Sequence, residues 1–192
     1  IQELGEIAKE HDLGLHVDSC LGGYLLPFVK KLGYEIPDFD LGVPGVTSIS
    51  ADIHKYGFAA KGASVLMFNS QKLQKHMFYA YVDWPGGIYA SPSFRGTRPG
   101  SIIAAAWAGL KDLGEEGYLE LARSMMDTTE KLMKGIDAIP ELYILGEPDM
   151  TAFSYTSDEV DMYAIGSKLS EKGWGLDKLQ FPKALHMMIN PK

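Results

Sequence analysis

"VTSISADIHKYGFAAKG", residues 46–62, decides the fold, because a short apolar segment is followed at once by two lysines and a histidine. Its first residues are rich in β-branched side chains, which predicts a strand from Val46 to Ser50. Lys55 and Lys61 then lie among small and apolar residues, where a loop usually carries Asp, Asn or Ser. Desolvation lowers the pKa of an ammonium and yields a neutral amine, which attacks aldehydes. We therefore expect a lowered pKa at Lys55, with extension of both lysines into solvent as the alternative.

The segments on either side of this stretch alternate between helical and extended patterns. In "GLHVDSC", Leu15 and Val17 alternate with His16 and Asp18, which predicts a strand. Apolar residues at spacings of three and four predict helices before and after it. The predicted helices cover residues 2–12 and 24–32, and the predicted strands cover residues 15–18, 46–50 and 63–68. Such alternation favours an α/β fold with a largely parallel sheet covered on both faces.

The second half of the sequence predicts long helices followed by a smaller α/β unit. Residues 82–100 are rich in Pro, Gly and Ser and are expected to be irregular. Ser101 is expected to cap a helix, and a longer helix with one apolar stripe follows from about Glu115. Short strands are predicted over residues 142–145, 153–156 and 184–189, with a helix over 160–172. We therefore predict a large-domain part at 1–116, a connecting helix at 117–139 and a partial small domain at 140–192.

The composition excludes several classes of function. The chain has 192 residues and a formal net charge of -7, which argues against a nucleic-acid partner, since such a partner needs a basic stripe. The single cysteine, Cys20, excludes an internal disulfide and fits a reducing compartment. No apolar run approaches the roughly 18 residues that span a bilayer, so no membrane segment is predicted. The histidines show no metal-ligand spacing, so no metal site is predicted.

Asp18 and Lys55 follow two neighbouring predicted strands. In an open parallel sheet, ligands bind beyond the carboxyl ends of the strands, so these two side chains are expected to face one crevice. A carboxylate at this place can pair with a protonated ring nitrogen and keep it charged. The alternative for Asp18 alone is that it caps the turn leaving the strand.

Four motifs in order resemble one family. They are "HVDSCLGG", "GVTSISADIHKYGFAAKG", "DWPGGIYASPSFRGTRPG" and "KGW" with "FP" near the end. Together they resemble the fold-type-I pyridoxal phosphate (PLP) enzymes of the group II decarboxylase family, over essentially the whole chain. The resemblance implies a PLP-dependent transferase-like α/β fold. Because the chain starts without methionine and within the large domain of that family, we expect an internal segment of a longer protein.

The resemblance implies a set of residues that contact the cofactor. Lys55 matches the lysine that joins the PLP aldehyde, and Asp18 matches the carboxylate that keeps the pyridine nitrogen protonated, so that the ring acts as an electron sink. The other cofactor-contacting residues implied are His16, Ser50, His54 and Thr97. Of these, His54 and Ser50 are expected near the cofactor phosphate, and His16 is expected to support the cofactor surroundings.

The resemblance also implies a phosphorylated substrate. The motifs are most similar to family members that cleave phosphorylated sphingoid bases to a fatty aldehyde and phosphoethanolamine. Lys61 matches a second active-site lysine with a substrate-binding or proton-transfer role, and Arg98 matches the substrate-binding arginine of a "GTRPG" loop. A homodimer is implied for the full-length protein, in the cytoplasm or, for an anchored eukaryotic parent, on the cytosolic face of the endoplasmic reticulum.

Two other functions stay open from the sequence. A PLP-dependent amino-acid decarboxylase of the same family would use Lys55 and Asp18 in the same way and would cleave a carboxylate instead. A non-catalytic truncated segment is the other alternative, because the family's earlier phosphate-binding loop does not occur in these 192 residues.

Overall fold

A computed structural model describes residues 1–191 as a mixed α/β structure in two compact units. The helices are α1 (Gln2–Glu10), α2 (Leu26–Lys31), α3 (Gln71–Gln74), α4 (Gly100–Asp137) and α5 (Met162–Glu171). Short 3-10 turns cover Gly22–Tyr24 and Lys75–Met77. The strands are β1 (Leu15–Asp18), β2 (Val46–Ala51), β3 (Val65–Phe68), β4 (Tyr79–Tyr81), β5 (Tyr89–Ser91), β6 (Tyr143–Ile144), β7 (Ala152–Thr156), β8 (Asp177–Leu179) and β9 (Ala184–Met188).

The first unit comprises residues 1–27 and 37–114 and holds a three-stranded sheet in the order β1-β2-β3. β1 pairs with β2 in parallel, whereas β3 pairs with β2 in the antiparallel sense. The predicted parallel pairing is therefore confirmed for β1 and β2 and wrong for β3. Residues 52–64 connect β2 to β3 without a helix, whereas a parallel neighbour is usually reached through a crossover helix.

The core of the first unit follows the alternation read from the sequence. Val17 is buried, whereas His16 and Asp18 on either side of it are exposed. Val17 packs with Val46 and Ile49 of β2. This packing fixes the position of both strand ends, because the polar residues of β1 must then lie on the face away from the core.

The turn after β1 passes very close to β2. A Cβ atom on Gly23 would lie 2.7 Å from the Cβ atom of Ala51, closer than real Cβ contacts allow. Glycine therefore permits the chain that leaves Asp18 to fold back over the end of the neighbouring strand.

The segment expected to be irregular contains a strand. β5 (Tyr89–Ser91) lies within residues 82–100 and forms an antiparallel hairpin with β4. The prediction missed it because Pro85, Gly86 and Gly87 precede the strand and mask its short extended pattern.

The long helix α4 is interrupted at Gly114, whose backbone angles are φ 57° and ψ -173°. The expected change from one helix to the next at this place is confirmed. In the second part of the helix, Tyr118, Ala122, Met125 and Thr129 are buried, which confirms the apolar stripe. Among the helices of residues 1–191, none is both long and apolar enough to cross a membrane.

The second unit comprises residues 28–36 and the chain from Glu115 onwards. Its sheet is antiparallel in the order β6-β7-β9-β8, and Leu185 of β9 is fully buried in the core beside α5. The three predicted strands and the predicted helix are present, and β8 is an addition. The predicted domain boundaries stay predictions, because compact units in one chain do not establish the limits of the family's domains.

Candidate active site

Asp18 lies at the carboxyl end of β1, opposite Ser50 of β2 in the parallel register. Its Oδ1 atom accepts a hydrogen bond from the backbone N of Cys20 at 3.0 Å and one from Ser50 Oγ at 3.2 Å. The bond from the Cys20 backbone is the main reason that the pKa of Asp18 lies below its ordinary value of 3.8, and the charge of Lys55 adds to the effect. The site therefore has an exposed carboxylate that is ionised at neutral pH.

Lys55 lies at the same sheet edge. Its Nζ atom is 2.9 Å from Cys20 Sγ and 3.0 Å from Asp52 Oδ2. The contact with Cys20, followed by that with Asp52, raises the pKa of Lys55 above its ordinary value of 10.5. The predicted lowering of the pKa is wrong, because Ile53 and Tyr56 turn into the core and leave the Lys55 side chain 34% exposed beside two polar groups.

Asp52 is a site residue that the sequence analysis did not identify. Its carboxylate contacts Lys55 through Oδ2, lies 3.8 Å from His54 Nε2, and accepts a hydrogen bond from Ser64 Oγ through Oδ1. The Ser64 bond is the main cause that lowers the pKa of Asp52, with Lys55 and His54 adding to it. The available signal was a carboxylate directly after a strand and three residues before a lysine, a spacing that brings opposite charges together on one turn of chain.

The two predicted histidines lie at different places. His16 Nδ1 is 2.8 Å from Ser48 Oγ, in the middle of the β1–β2 pair. His54 Nδ1 is 3.2 Å from the backbone oxygen of Ala63, which holds the ring within the loop that carries Lys55. His54 is therefore part of the Asp52 cluster, whereas His16 lies two residues before Asp18, further from the carboxyl end of β1.

A cleft of about 490 Å³ lies beside the loop of Lys61. It is lined by residues 62–64, 89–92 and 96–99 and by Ile102 and Ile103. The structure thus brings Thr97 and Arg98 to the same cleft as Ser64, and Ser64 also binds Asp52. Arg98 Nη2 donates a hydrogen bond to Ser93 Oγ at 2.5 Å. Lys61 is exposed at the cleft margin, next to Gly62, and forms no hydrogen bond or ion pair with residues 1–191.

The predicted residues therefore form two groups. Asp18, Ser50 and Lys55 meet at the ends of β1 and β2. Thr97 and Arg98 lie at the cleft instead. Their roles in binding stay predictions, and the Asp52–Ser64 hydrogen bond is the contact that joins the cleft lining to the Lys55 cluster.

Comparison with protein families gives a match over most of the chain. Residues 1–157 match the family model described as the pyridoxal-dependent decarboxylase conserved domain. The chain is 49% identical over 189 residues to the sphingosine-1-phosphate lyase of Oryza sativa subsp. japonica, covering 98% of this chain and 35% of that protein. It is 46% identical over 192 residues to the lyase of the same name from Dictyostelium discoideum, covering 100% and 36%. The chain thus spans about a third of the length of the curated relatives it matches.

Solved structures show the same likeness. The Burkholderia pseudomallei sphingosine-1-phosphate lyase matches with a TM-score of 0.94 at 46% identity, over 99% of this chain and 43% of that one. A Lactobacillus brevis glutamate decarboxylase matches with a TM-score of 0.78 at 19% identity, over 98% and 46%, which shows the fold alone. The predicted fold class, the α/β fold of fold-type-I PLP-dependent enzymes, is confirmed.

Proposed function

We propose a function from the premise that this chain belongs to the pyridoxal-dependent decarboxylase family, whose model matches residues 1–157. The complete protein is a carbon–carbon lyase that acts on sphingoid long-chain base 1-phosphates. The observation that carries this proposal is the 49% identity, over 98% of the chain, to a protein named sphingosine-1-phosphate lyase. Because the chain spans about a third of such relatives, the activity is assigned to the complete protein.

The residues at the sheet edge fit pyridoxal phosphate, the cofactor of the family. Asp18 offers an ionised carboxylate for the ring nitrogen, and Lys55 offers a primary amine for the aldehyde, at the ends of adjacent parallel strands. The bound cofactor supplies an electron sink for the bond that breaks. His54 is the candidate for its phosphate, since its ring can donate a hydrogen bond. Ser50, the other residue predicted there, donates to Asp18 instead, and Thr97 lies at the cleft.

Lys61 and Arg98 fit a substrate that carries a phosphate. Both are exposed, and both lie at or beside the cleft of about 490 Å³. Arg98 can bind phosphate oxygens in a bidentate manner, and Lys61 offers a mobile point charge. In a chain with a net charge of -7, two cations at one cleft favour an anionic ligand there over a neutral one.

The proposed reaction balances without an oxidant or a reductant. The C2–C3 bond of the substrate breaks, and the C3 hydroxyl gives its proton to solvent and becomes the aldehyde carbonyl. The electron pair of the broken bond stays with C2, which takes up a proton and leaves as part of phosphoethanolamine. Lys61 is the proposed group at the C3 hydroxyl, where a cation stabilises the developing alkoxide.

Cys20 as the single, half-buried thiol supports placement in the cytoplasm or on the cytosolic face of the endoplasmic reticulum.

The experiment uses the complete protein with pyridoxal phosphate. Borohydride reduction and peptide mapping are expected to find the cofactor on Lys55. Lys55→Ala is expected to lower the rate of aldehyde release from a sphingoid base 1-phosphate by at least about 10³-fold, because the group that binds the cofactor covalently is lost. Lys111→Ala, a change at an exposed α4 lysine, is the matched control and is expected to keep the rate.

Three results would contradict the proposal. Label on Lys61 instead of Lys55 would show that the wrong lysine has been assigned. Release of carbon dioxide from amino acids, without aldehyde from the phosphorylated base, would identify a decarboxylase. Full activity of Lys55→Ala would exclude the mechanism altogether.

A homodimer is part of the proposal for the complete protein. Tyr79, Tyr81 and Tyr89 of the β4–β5 hairpin and nearby Phe94 form an exposed aromatic surface, with Phe94 fully exposed. A groove of about 600 Å³ runs along it between Met77, Tyr79, Tyr89 and Phe94. Exposed aromatic surfaces of this kind are typical of protein interfaces, which supports a second copy as its partner.

A further inference from the structure

Asp52 forms the closest carboxylate contact of Lys55. The distance from Asp52 Oδ2 to Lys55 Nζ is 3.0 Å, which is a charge-assisted hydrogen bond as well as an ion pair. Asp52 is 18% exposed and Lys55 is 34% exposed, so the pair is partly shielded from water. Backbone geometry supports it, since Lys55 N also donates to Asp52 O at 3.2 Å.

We propose that Asp52 is a positioning residue that holds the unmodified Lys55 side chain as an ammonium at the sheet edge. Ser64 fixes the Asp52 carboxylate from the opposite side by donating to Oδ1, which leaves Oδ2 directed at Lys55. The carboxylate thus has one oxygen for its anchor and one for the amine. The role in cofactor capture rests on the proposed function, whereas the pairing of the two side chains does not.

Four charged or titratable groups face the pair: Cys20, Asp18 and His54 around it, and Asp52 within it. The thiol of Cys20, 2.9 Å from Lys55 Nζ, favours the ammonium most, followed by Asp52, and the more distant Asp18 adds to the effect. His54 faces Asp52 at 3.8 Å and competes for its charge when protonated. Asp52 is the member of this set that holds Lys55 from within the same loop, so its charge is the one that a single substitution removes most cleanly.

The pairing has a consequence for reactivity. An ammonium must release one proton to solvent before its nitrogen can form a bond to an aldehyde carbon. Asp52 stabilises the protonated form, so capture of an aldehyde by Lys55 is slower than capture by a free lysine at the same pH. Removing the charge of Asp52 is therefore expected to increase the reactivity of Lys55.

The test measures amine reactivity in the complete protein after removal of cofactor. The protein is labelled with trace acetic anhydride between pH 7 and pH 11 and digested with chymotrypsin. Cleavage after Tyr56 and Phe58 separates the peptide of Lys55 from that of Lys61. In the wild type, Lys55 is expected to react at higher pH than Lys61. In Asp52→Asn, labelling of Lys55 at pH 8 is expected to rise by several-fold to about tenfold, because one opposite charge has been removed.

The controls make each outcome decisive. Lys61 is the internal control and is expected to react equally in both proteins. Asp112→Asn removes an exposed carboxylate of α4 and is expected to change neither lysine. Unchanged labelling of Lys55 in a folded Asp52→Asn protein, judged by circular dichroism, would overturn the proposal. If that variant does not fold, the acetylation profile of the wild type tests the proposal by itself. Equal labelling of Lys55 and Lys61 at every pH would overturn the pairing of Lys55 with Asp52.

A second measurement separates this inference from the proposed function. Addition of pyridoxal phosphate to the stripped protein is followed at about 420 nm, where lysine-bound cofactor absorbs. Faster appearance of the band in Asp52→Asn supports the positioning role, and a slower appearance contradicts it. Absence of the band in the wild type, with the expected acetylation profile, would refute the proposed function and leave the Asp52–Lys55 pairing intact.

Discussion

At the scale of single residues, the site contains two carboxylates, Asp18 and Asp52, with different neighbours. Asp18 receives its hydrogen bonds from Cys20 and Ser50, and these stabilise its charge more than the nearby charge of Lys55 does. Asp52 contacts Lys55 directly. The two carboxylates therefore differ in their contacts: Asp52 binds Lys55, whereas the hydrogen bonds to Asp18 come from Cys20 and Ser50.

Asp18→Asn is expected to weaken the binding of pyridoxal phosphate by about 10- to 100-fold, the scale of a hydrogen bond to a charged group. The pKa of Asp18 is lowered from 3.8, so the carboxylate is ionised above that value and protonates only at more acidic pH. The loss of affinity is thus expected to be the same at every pH from 5 to 9. Equilibrium titration of the stripped protein measures it.

The matched control for that change is Asp112→Asn on α4, which is expected to bind the cofactor like the wild type. A ratio of affinities that disappears below pH 7 would contradict the assignment, because it would show that Asp18 already protonates near neutrality.

Sequence reasoning identified Asp18 and Lys55 as neighbours because both follow strands that were recognisable from their apolar residues. It could not give the protonation of Lys55. Ile53 and Tyr56 are neighbours of Lys55 in sequence, yet their side chains enter the core, whereas Cys20 is distant in sequence and lies 2.9 Å away. The pKa of a side chain depends on spatial neighbours, and these require the loop conformation.

At the scale of elements, α4 contains the most specific backbone requirement. Gly114 has φ 57° and ψ -173°, a combination that residues with a Cβ atom rarely adopt, and it divides the helix into two parts. Gly135, in the second part of α4, has ordinary helical geometry with open space around it. The same residue type therefore has opposite effects at two positions of one helix.

Gly114→Ala is expected to lower the free energy of unfolding by about 1–3 kcal/mol, because alanine is strained at this φ and ψ. Gly135→Ala is the matched control and is expected to raise it by about 0.5–1 kcal/mol, since alanine loses less conformational entropy in a helix. Urea unfolding of the complete protein, followed by circular dichroism, measures both. Equal effects of the two substitutions would show that alanine adopts the backbone angles of position 114 without strain.

The sequence predicted the elements better than their pairing. Periodicity located α4 and its division, because the apolar stripe restarts after Gly114. It did not give the antiparallel direction of β3, because the strand pattern of Val65–Phe68 is the same in either direction. Whether two strands pair in parallel depends on how the chain between them folds. The residues of the loop do not show this.

At the scale of the whole molecule, each unit has its own core, and apolar surface is left exposed on the first. Residues of the hairpin surface (Tyr79, Tyr81, Tyr89 and Phe94) are at least 44% exposed. Leu185 and Met162 of the second unit are almost fully buried with the β7–β9 pair. The sequence predicted two folding regions. Its net acidic charge favours a substrate-pocket wall or a dimer contact for Tyr79, Tyr81 and Tyr89, but it did not show that they share one hairpin.

The complete protein is expected to sediment as a dimer. Phe94→Asp is expected to raise the dimer dissociation constant by about 10- to 100-fold, because a charge then lies in an apolar contact. Phe181→Asp is the control, since Phe181 is 95% exposed in the second unit. Sedimentation velocity over a range of concentrations tests both, and a monomeric wild type would refute the proposed homodimer.

The antiparallel return of β3 has one further consequence. Ala51 and Val65 are cross-strand partners, so residues 52–64 form a loop whose two ends are held together by the pairing of β2 with β3. Insertions at the exposed positions Ala60 and Lys61 are expected to cost little free energy, because closure entropy grows only slowly with loop length, whereas Ile53 and Tyr56 are held in the core. The connection can therefore vary at its exposed positions while β2 and β3 stay paired.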